Sequence, residues 1–216
     1  MATFHMFPPD QANLREKIGT QAFVLRGFAL PLVPQLLQAI STLQQGSPFR
    51  HMVTAGGFTM SVALTNCGDL GWTTDRRGYR YTANDPLSGQ PWPEMPAVFA
   101  NLARQAAAAA GFENFQPDAC LVNRYLPGSR LSLHQDRNER DFDAPIVSVS
   151  LGVNAIFLFG GLERSDKTTK IPLTHGDVVV WGGIDRMRYH GVMPIKESIH
   201  PLLGDQRINF TFRKAG

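Results

Sequence analysis

The sequence is poor in cysteine, in charge and in long apolar runs. Its two cysteines, Cys67 and Cys120, are far apart and form no CxxC pattern. A disulfide framework is therefore not expected, and a reducing cytoplasm fits this composition. The longest apolar runs are about eight residues, too short to cross a membrane, and the amino terminus has no apolar core of signal-peptide length. We expect a cytoplasmic protein that has no membrane partner.

The low charge content argues against a disordered chain. Only 18% of the 216 residues are charged, and 43% are apolar. This composition is typical of one globular domain with a sizeable core. Basic residues exceed acidic ones by only 21 to 18, giving a net charge of +3. That excess permits a nucleic-acid partner but does not predict one, so the local arrangement of charge must decide.

The chain divides into a short leader and one domain. Residues 1–20 are predicted to form a loose leader, because Pro8 and Pro9 interrupt any regular element. Residues 21–216 are predicted to form a single domain. Two helices are predicted early in it, at 31–45 and 96–110, where apolar residues recur at helical spacing.

Short strands dominate the second half. Runs rich in Val, Ile, Phe, Leu and Tyr alternate there with turn residues, which is typical of a β-sandwich or barrel. The predicted fold is mainly β with flanking helices around a jelly-roll core. Strands are predicted at 22–25, 120–125, 131–134, 146–152, 156–159, 177–181 and 208–212.

The segment between Asn66 and Pro96 is rich in Gly, Pro, Arg and Asp. A loop of this length within a domain is usually either functional or disordered. It also contains Trp72, Tyr79 and Tyr81, which favours a functional role. A tryptophan packed into the core is the alternative for Trp72.

His134 and Asp136 are candidate metal ligands. Residues two apart on an extended chain project from the same face, so their side chains can reach one ion. Two histidines and one carboxylate leave three positions of an iron open, whereas zinc is more often four-coordinate. A chance H-x-D pair is the alternative. The histidines available to complete the set are His5, His51, His175, His190 and His200.

His190 is the best third ligand, because a short connection containing glycine joins it to the strand predicted at 177–181. His175 is better explained by a turn before that strand. His5, His51 and His200 are expected at the surface or in packing.

The carboxy-terminal strand alternates strictly between polar and apolar residues. Arg207, Asn209, Thr211 and Arg213 face one way, a surface suited to a small dianion because arginine binds carboxylates through two hydrogen bonds. A solvated edge strand is the alternative. Asn123 and Tyr125, which share one face of another strand, offer neutral donors for the same pocket. The residues on the opposite face of the terminal strand are Ile208, Phe210 and Phe212.

These motifs, taken in order, resemble the AlkB family of iron(II)/2-oxoglutarate dioxygenases, from about residue 48 to the end. The resemblance implies a double-stranded β-helix, which is a jelly roll, with iron(II), 2-oxoglutarate and molecular oxygen as cofactor and cosubstrates. It also implies that Arg207 pairs with the distal carboxylate of 2-oxoglutarate, and that Arg213 and Asn209 support the end near the metal. The matching motifs are Asn123-x-Tyr125, His134-x-Asp136, His190 and Arg207-x-Asn209-x-Thr211-Phe-Arg213.

The resemblance further implies oxidative demethylation of N-alkylated bases such as 1-methyladenine and 3-methylcytosine. The substrate would be single- or double-stranded DNA, or RNA, and formaldehyde would be released as 2-oxoglutarate is decarboxylated, in direct-reversal repair. Residues 48–95 would form a nucleotide-recognition lid carrying Trp72 and Tyr79, with His134 as the second stacking partner of the base.

Basic residues cluster in three places that would surround the pocket mouth. Each cluster alone would be read as a solvated face, but together they predict phosphate contacts and salt-sensitive binding. By resemblance, Arg137 contacts the nucleic-acid backbone, and Glu139 and Arg164 lie near the base. The clusters are Arg76, Arg77 and Arg80; Arg137 and Arg140; and Arg164, Lys167 and Lys170.

One departure from the family pattern concerns Asn138. Relatives often carry an aspartate at this position, where its charge can favour a cationic methylated base. Asparagine removes that charge, so the preferred lesion is an open question.

Three other functions compete with the demethylase. They are a 2-oxoglutarate-dependent hydroxylase of a protein or small molecule, a non-catalytic jelly-roll binding module and a zinc hydrolase. The two cysteines are expected to serve packing. No helical apolar stripe is left over for a partner, so we expect a monomer.

Overall fold

The computed structural model describes residues 15–216 and confirms the predicted mainly β fold with flanking helices. The helices are α1 (Val33–Gly46) and α2 (Ala97–Ala109). The strands are β1 (Arg15–Lys17), β2 (Ala22–Leu25), β3 (Arg50–Val53), β4 (Thr59–Gly68), β5 (Gly71–Asp75), β6 (Gly78–Thr82), β7 (Ala119–Tyr125), β8 (Leu131–His134), β9 (Ile146–Gly152), β10 (Ala155–Phe159), β11 (Thr169–Leu173), β12 (Val178–Trp181), β13 (His190–Val192) and β14 (Arg207–Arg213).

The strands form a large sheet, a small sheet and a separate hairpin, and every pairing between them is antiparallel. The large sheet has eight strands in the order β1-β2-β12-β9-β14-β7-β4-β3. The small sheet has the order β11-β10-β13-β8, and β5 pairs with β6. Strands far apart in sequence are neighbours in both sheets, as expected for a jelly roll.

Successive side chains of the central strands point alternately toward the helices and toward the small sheet, which gives two separate buried layers. Ile208, Phe210 and Phe212 of β14 pack on the helices, where Phe99 of α2 meets the ring of Phe210 edge-on at 4.7 Å. The intervening residues of β14 face the small sheet instead, because successive side chains point to opposite faces. The helices therefore cover the outside of the large sheet, and β14 turns its polar residues toward the inner face.

A second apolar cluster fills part of the space between the two sheets. It joins Trp181 of β12 to Phe157 and Phe159 of β10. This cluster packs the two sheets together at one end. The remaining space between them is a cavity that contains the predicted site residues.

Both predicted helices are confirmed to within two residues at each end. A turn of 3-10 helix, Leu30–Leu32, precedes α1. After α2, Gly111 has a φ of +93°, which a residue without a Cβ adopts at low cost. Phe112 then donates its backbone N–H to the carbonyl of Ala107 over 2.9 Å, which closes the end of the helix.

Two predictions about the first half are wrong. Arg15–Lys17, placed in the loose leader, form an edge strand paired with β2, and their exposed side chains gave no apolar signal. Residues 1–14 of that leader lie outside the described residues. The segment 66–96 is not one loop, since it contains the end of β4 and the hairpin β5–β6. Its Thr, Tyr and Trp favour strands, but the surrounding Gly, Arg and Asp concealed the pattern.

Strands β3, β11 and β13 were also not predicted, because each is short or polar. No helix within residues 15–216 is long and apolar enough to cross a membrane.

Candidate active site

The predicted metal ligands come together where β8 meets β13. His134 lies directly opposite His190 in this pairing, and their ring centres are 4.3 Å apart. Asp136 follows two residues after the end of β8, and its carboxylate oxygens lie 3.7 Å from the Nε2 atom of each histidine. One ligand atom from each residue lies within 4.8 Å of the others. No other group of three metal-binding side chains occurs in residues 15–216.

Hydrogen bonds orient both imidazoles for a metal. The Nδ1 atom of His134 lies 2.9 Å from the carbonyl of Ser132, and that of His190 lies 3.0 Å from the carbonyl of Arg188. A carbonyl oxygen only accepts, so each Nδ1 carries the proton and each Nε2 offers its lone pair. Burial, followed by the neighbouring His134, lowers the pKa of His190 to about 3, which keeps this ring neutral.

Asp136 is held as a carboxylate by Arg213. The Nε and Nη2 atoms of Arg213 donate to Oδ2 of Asp136 over 2.9 and 2.8 Å. Burial opposes ionisation, but the charge of Arg213 outweighs it and holds the pKa of Asp136 below its usual value. Oδ1 of Asp136 accepts no hydrogen bond from any described residue. Two imidazoles that present Nε2 and this ionised carboxylate fit iron(II), with positions left over for cosubstrates.

Gly191 permits the close approach of β13 to β8. A Cβ atom at this position would lie 2.7 Å from the carbonyl oxygen of Leu131, so any other residue would push the strands apart. The separation of His134 and His190 therefore depends on a glycine next to the second ligand.

The remaining histidines lie elsewhere. His51 is exposed and bonded to the carbonyl of Met60. His175 lies in the predicted turn before β12, where its ring is 4.2 Å from that of His200. Each ring of this pair accepts a backbone N–H at Nδ1, from Gly152 and Leu202 respectively. His5 lies outside the described residues.

The candidate ligands border a cavity of about 880 Å³ between the sheets, which is large enough for a cosubstrate and a nucleobase. Arg207 lies on its inner wall with its side chain buried. Its Nη2 donates to the hydroxyl of Ser150 over 2.8 Å, while Nε and Nη1 have no hydrogen-bond partner among the described residues. A buried cation with unsatisfied donors favours an anion, and the distal carboxylate of 2-oxoglutarate suits this position.

The other predicted cosubstrate residues share this wall. Asn123 and Tyr125 of β7 lie opposite Asn209 and Arg207 of β14, and all four are buried. The alternative of a solvated edge strand is wrong, because β14 is central between β9 and β7. Asn209 donates to the hydroxyl of Ser148 and to the carbonyl of Val149, so it links β14 to β9 within this wall.

Ser148 and Ser150 were missed as contributors to the site. Both face the cavity side of β9 and accept hydrogen bonds from Asn209 and Arg207. Their two-residue spacing within an otherwise apolar strand has the same period as Arg207 and Asn209. That match was the sequence signal that could have identified them.

The hairpin β5–β6 lies at the cavity mouth. Trp72 and Tyr79 line the cavity and stack on each other, with ring centres 5.6 Å apart and planes inclined by 23°. Asn66 holds the main chain of Trp72 through two hydrogen bonds. Its Oδ1 accepts the backbone N–H of Trp72, and its Nδ2 donates to the backbone carbonyl of Trp72. Trp72 is half-buried at this mouth, and the alternative of a core position is wrong.

The predicted rim residues divide into two groups. Arg137, Asn138 and Arg164 are exposed and line the cavity. Glu139 is buried instead and does not line that cavity, as far as residues 15–216 describe it. In the hairpin, Arg77 and Arg80 both pair with Asp75, which reduces their charge available to phosphate.

The two cysteines are buried and form no disulfide, as expected for residues that serve packing. Cys67 and Cys120 lie directly opposite one another in β4 and β7, on the helix side of the large sheet.

Comparisons with known proteins agree with this geometry. Residues 21–213 match the family model of the 2OG-Fe(II) oxygenase superfamily. The chain is 58% identical over 206 residues to the alpha-ketoglutarate-dependent dioxygenase AlkB of Salmonella typhimurium, covering 95% of each chain. It is 57% identical over 207 residues to the AlkB of Escherichia coli, covering 96% of each.

A solved structure, that of OsALKBH1, has the same fold. It matches with a TM-score of 0.80 at 28% identity, over 93% of this chain and 99% of that one. The protein therefore belongs to the AlkB dioxygenases of the 2OG-Fe(II) oxygenase superfamily, which depend on iron(II) and 2-oxoglutarate.

Proposed function

We propose that this dioxygenase demethylates N-methylated bases, such as 1-methyladenine and 3-methylcytosine, in DNA or RNA. The observation that carries the proposal is a single cavity with three different parts. It joins the ligands His134, Asp136 and His190 to the unsatisfied Arg207 and to the aromatic pair at its mouth. Such a cavity can hold a metal, a dicarboxylate and a flat ring together.

His134, Asp136 and His190 would hold iron(II), and Arg207 would hold the distal carboxylate of 2-oxoglutarate, with Asn123 and Tyr125 beside it. When bound, iron and 2-oxoglutarate activate oxygen, and the methyl group is oxidised and lost as formaldehyde as 2-oxoglutarate is decarboxylated. The protein itself supplies orientation and shelter. Arg213 keeps Asp136 ionised and leaves one of its oxygens for the metal.

The base would lie between Trp72 and His134. A base must leave its stack to reach a buried metal, and aromatic stacking holds it there. Both side chains line the cavity, and His134 is its partly exposed ligand. Tyr79 would support Trp72 from behind, and Arg137 and Arg164 would contact phosphates at the rim. Residues 48–95 would thus act as the recognition lid of a catalytic domain spanning 21–216.

The charge of the cavity bears on the preferred lesion. Asp136 is the one carboxylate among the described residues that line the cavity, and Arg213 already pairs with it. Asn138 stands at the mouth without a charge. We therefore expect neutral lesions, such as 1-methylguanine, to compete with the cationic bases 1-methyladenine and 3-methylcytosine.

The three rival functions each leave a feature unexplained. A hydroxylase of proteins or small molecules does not require Trp72 stacked on Tyr79 beneath a cationic rim. A binding module does not require the buried and unsatisfied Arg207. A zinc hydrolase has no use for a second anion site beside the metal.

We further propose that the protein acts as a monomer in the cytoplasm. Its two thiols are buried and unpaired, which suits a reducing compartment.

The test is a demethylation assay with matched substrates. The protein is incubated with iron(II), 2-oxoglutarate, ascorbate and oxygen, plus a single-stranded DNA oligonucleotide carrying 1-methyladenine or 3-methylcytosine. Mass spectrometry follows the methyl group, and formaldehyde and succinate are assayed alongside. The control is Asp136→Ala, and parallel reactions use duplex DNA and RNA.

Methyl loss that requires 2-oxoglutarate and disappears in Asp136→Ala is the expected result. Succinate formed without methyl loss would favour the hydroxylase of another substrate. No turnover by a protein that demonstrably binds the metal would favour the binding module.

A further inference from the structure

A second cluster of buried polar groups lies behind the metal ligands. At its centre are Glu139 and Arg186, whose side chains are each 2% exposed. Both charges are removed from water, so each needs partners within the protein. Glu139 was expected to lie near the base, yet it points into this cluster and not into the lining of the cavity that the described residues form.

Three donors from three parts of the chain surround the Glu139 carboxylate. The hydroxyl of Tyr81 donates to Oε1 over 2.6 Å, and Nη2 of Arg186 donates to Oε2 over 3.3 Å. Nε of Arg213 lies 3.4 Å from Oε1. Burial raises the pKa of Tyr81 well above its usual value, so the phenol remains a donor. Both oxygens of Glu139 are therefore engaged.

The two arginines also hold Asp136. Arg213 binds its side chain, and Nη1 of Arg186 donates to its backbone carbonyl over 2.8 Å. Arg186 is fixed in turn by a bond from Nε to the carbonyl of Ala144. Asp136 lies beyond the last residue of β8, where no strand ladder holds the backbone. Arg186 supplies that missing restraint.

Tyr81 connects this cluster to the lid. It lies in β6 directly opposite Trp72 of β5, so both belong to the same rung of the hairpin. Its hydroxyl bond to Glu139 is a side-chain tie from this rung to the loop that carries Asp136. The buried carboxylate of Glu139 thus links the hairpin that carries Trp72 to the loop that carries Asp136.

We infer that Tyr81 and Arg186 are positioning residues that fix the lid hairpin and Asp136 relative to one another. Tyr81 acts through Glu139, and Arg186 acts through its own bond to the backbone of Asp136 and its ion pair with Glu139. The inference rests on the proposed function, which gives Trp72 a base to cover and Asp136 a metal to hold. Its two halves have separate consequences. Loss of the Tyr81 hydroxyl loosens the hairpin and weakens nucleic-acid binding, whereas loss of Arg186 loosens Asp136 and weakens metal binding.

Tyr81→Phe tests the first half, because it removes one oxygen and keeps the ring. We expect the KM for a methylated oligonucleotide to rise about 10-fold, as for loss of a hydrogen bond to a charged group. Binding of Mn(II), followed by electron paramagnetic resonance without turnover, should change less than twofold. In a Glu139→Met background, which has no oxygen to accept the bond, Tyr81→Phe should have little further effect, because the two residues act as one unit.

Arg186→Lys tests the second half, because lysine keeps the charge but cannot reach three acceptors at once. Mn(II) affinity should fall about 10-fold, as for a lost charge-assisted hydrogen bond. The matched control is Arg104→Lys, an exposed arginine of α2, which should leave Mn(II) affinity within twofold. Circular dichroism establishes that each variant is folded.

An unchanged KM in Tyr81→Phe, or an effect that adds in full to that of Glu139→Met, would overturn the role of Tyr81. Wild-type Mn(II) affinity in folded Arg186→Lys would overturn the role of Arg186. Should Arg186→Lys fail to fold, the cycle between Tyr81 and Glu139 decides the inference. A wild-type protein that binds Mn(II) and 2-oxoglutarate but removes no methyl group contradicts the proposed function instead, and the Mn(II) measurements then still test Arg186.

Discussion

Arg207 lies directly opposite Tyr125 in the large sheet, and its guanidinium carbon stands 4.9 Å from the centre of the phenol ring. Burial lowers the pKa of Arg207, but the guanidinium keeps its charge because arginine is protonated at all ordinary pH values. Two of its nitrogens have no partner among the described residues. The protein thus holds a buried charge that Ser150 and Tyr125 compensate in part and that a bound anion would compensate further.

Replacing Arg207 by methionine should have opposite effects on stability and on cosubstrate binding. Without 2-oxoglutarate, the variant should unfold at a higher temperature, with a gain of about 1 kcal/mol or more, because an incompletely compensated buried charge is removed. Affinity for 2-oxoglutarate should fall about 100-fold through loss of the charged partner. Thermal melts with and without 2-oxoglutarate measure both effects. A variant that is less stable without 2-oxoglutarate, yet still stabilised by it, would contradict this account.

Replacing Trp72 by alanine should weaken substrate binding without affecting the metal. Stacking on one base contributes about 1 to 3 kcal/mol, so the KM for the methylated oligonucleotide should rise about 10-fold or more. Succinate should form in excess over demethylated base, because the base is held less firmly during turnover. The control is Leu87→Ala, an exposed apolar residue in the same segment, 78% exposed and outside the cavity lining in the described part of the chain. Equal KM values for the two variants would argue against a stacking role for Trp72.

The sequence was sufficient to predict the elements whose side chains alternate or recur regularly. β14 is an example, since its polar and apolar faces could be assigned from the alternation alone. The H-x-D pair likewise identified two of the candidate metal ligands that the structure brings together. Whether the polar face of β14 met water or a cavity could not be predicted, because that depends on β9 and β7, which flank it. Only the pairing of distant strands decides this point.

The contacts of Glu139 were beyond the reach of sequence for a related reason. Its partners Tyr81, Arg186 and Arg213 come from three distant segments, and no local spacing connects them. The hairpin that carries Tyr81 was hidden among glycine and charged residues. Resemblance placed Glu139 near the base, and the structure places it in a buried ion cluster behind the ligands.

Asn138→Asp should shift the lesion preference toward cationic bases. A carboxylate at the cavity mouth attracts a cationic base and has little effect on a neutral one, so the ratio of kcat/KM for 3-methylcytosine over 1-methylguanine should rise about 5-fold at an exposed site. Competition between the two oligonucleotides in one reaction measures this ratio directly. Asn138→Ala is the control, and an equal ratio in both variants would mean that charge at this position does not select the base. High salt should reduce the effect.

His175 should make the stability of the protein depend on pH below neutrality. Burial, and then the adjacent His200, lowers the pKa of His175 from its usual 6.5. The unfolded chain therefore binds this proton at a higher pH than the folded chain does. The stabilising contribution is complete above the unfolded pKa and is lost as pH falls through 6.5 toward the lower folded value.

Geometry gives the same direction for this dependence. Nδ1 of His175 accepts the N–H of Gly152. If the ring were protonated, Nδ1 would carry a hydrogen that faces this N–H, and the hydrogen bond would be lost. His200 faces this ring at 4.2 Å, so protonation of His175 breaks its bond to Gly152 and places a charge beside a second imidazole. His175→Asn keeps an acceptor near Gly152 but does not titrate. Denaturant unfolding between pH 5 and 8 should therefore show a smaller loss of stability on acidification for this variant than for the wild type, and parallel curves would show that His175 contributes nothing to the pH dependence.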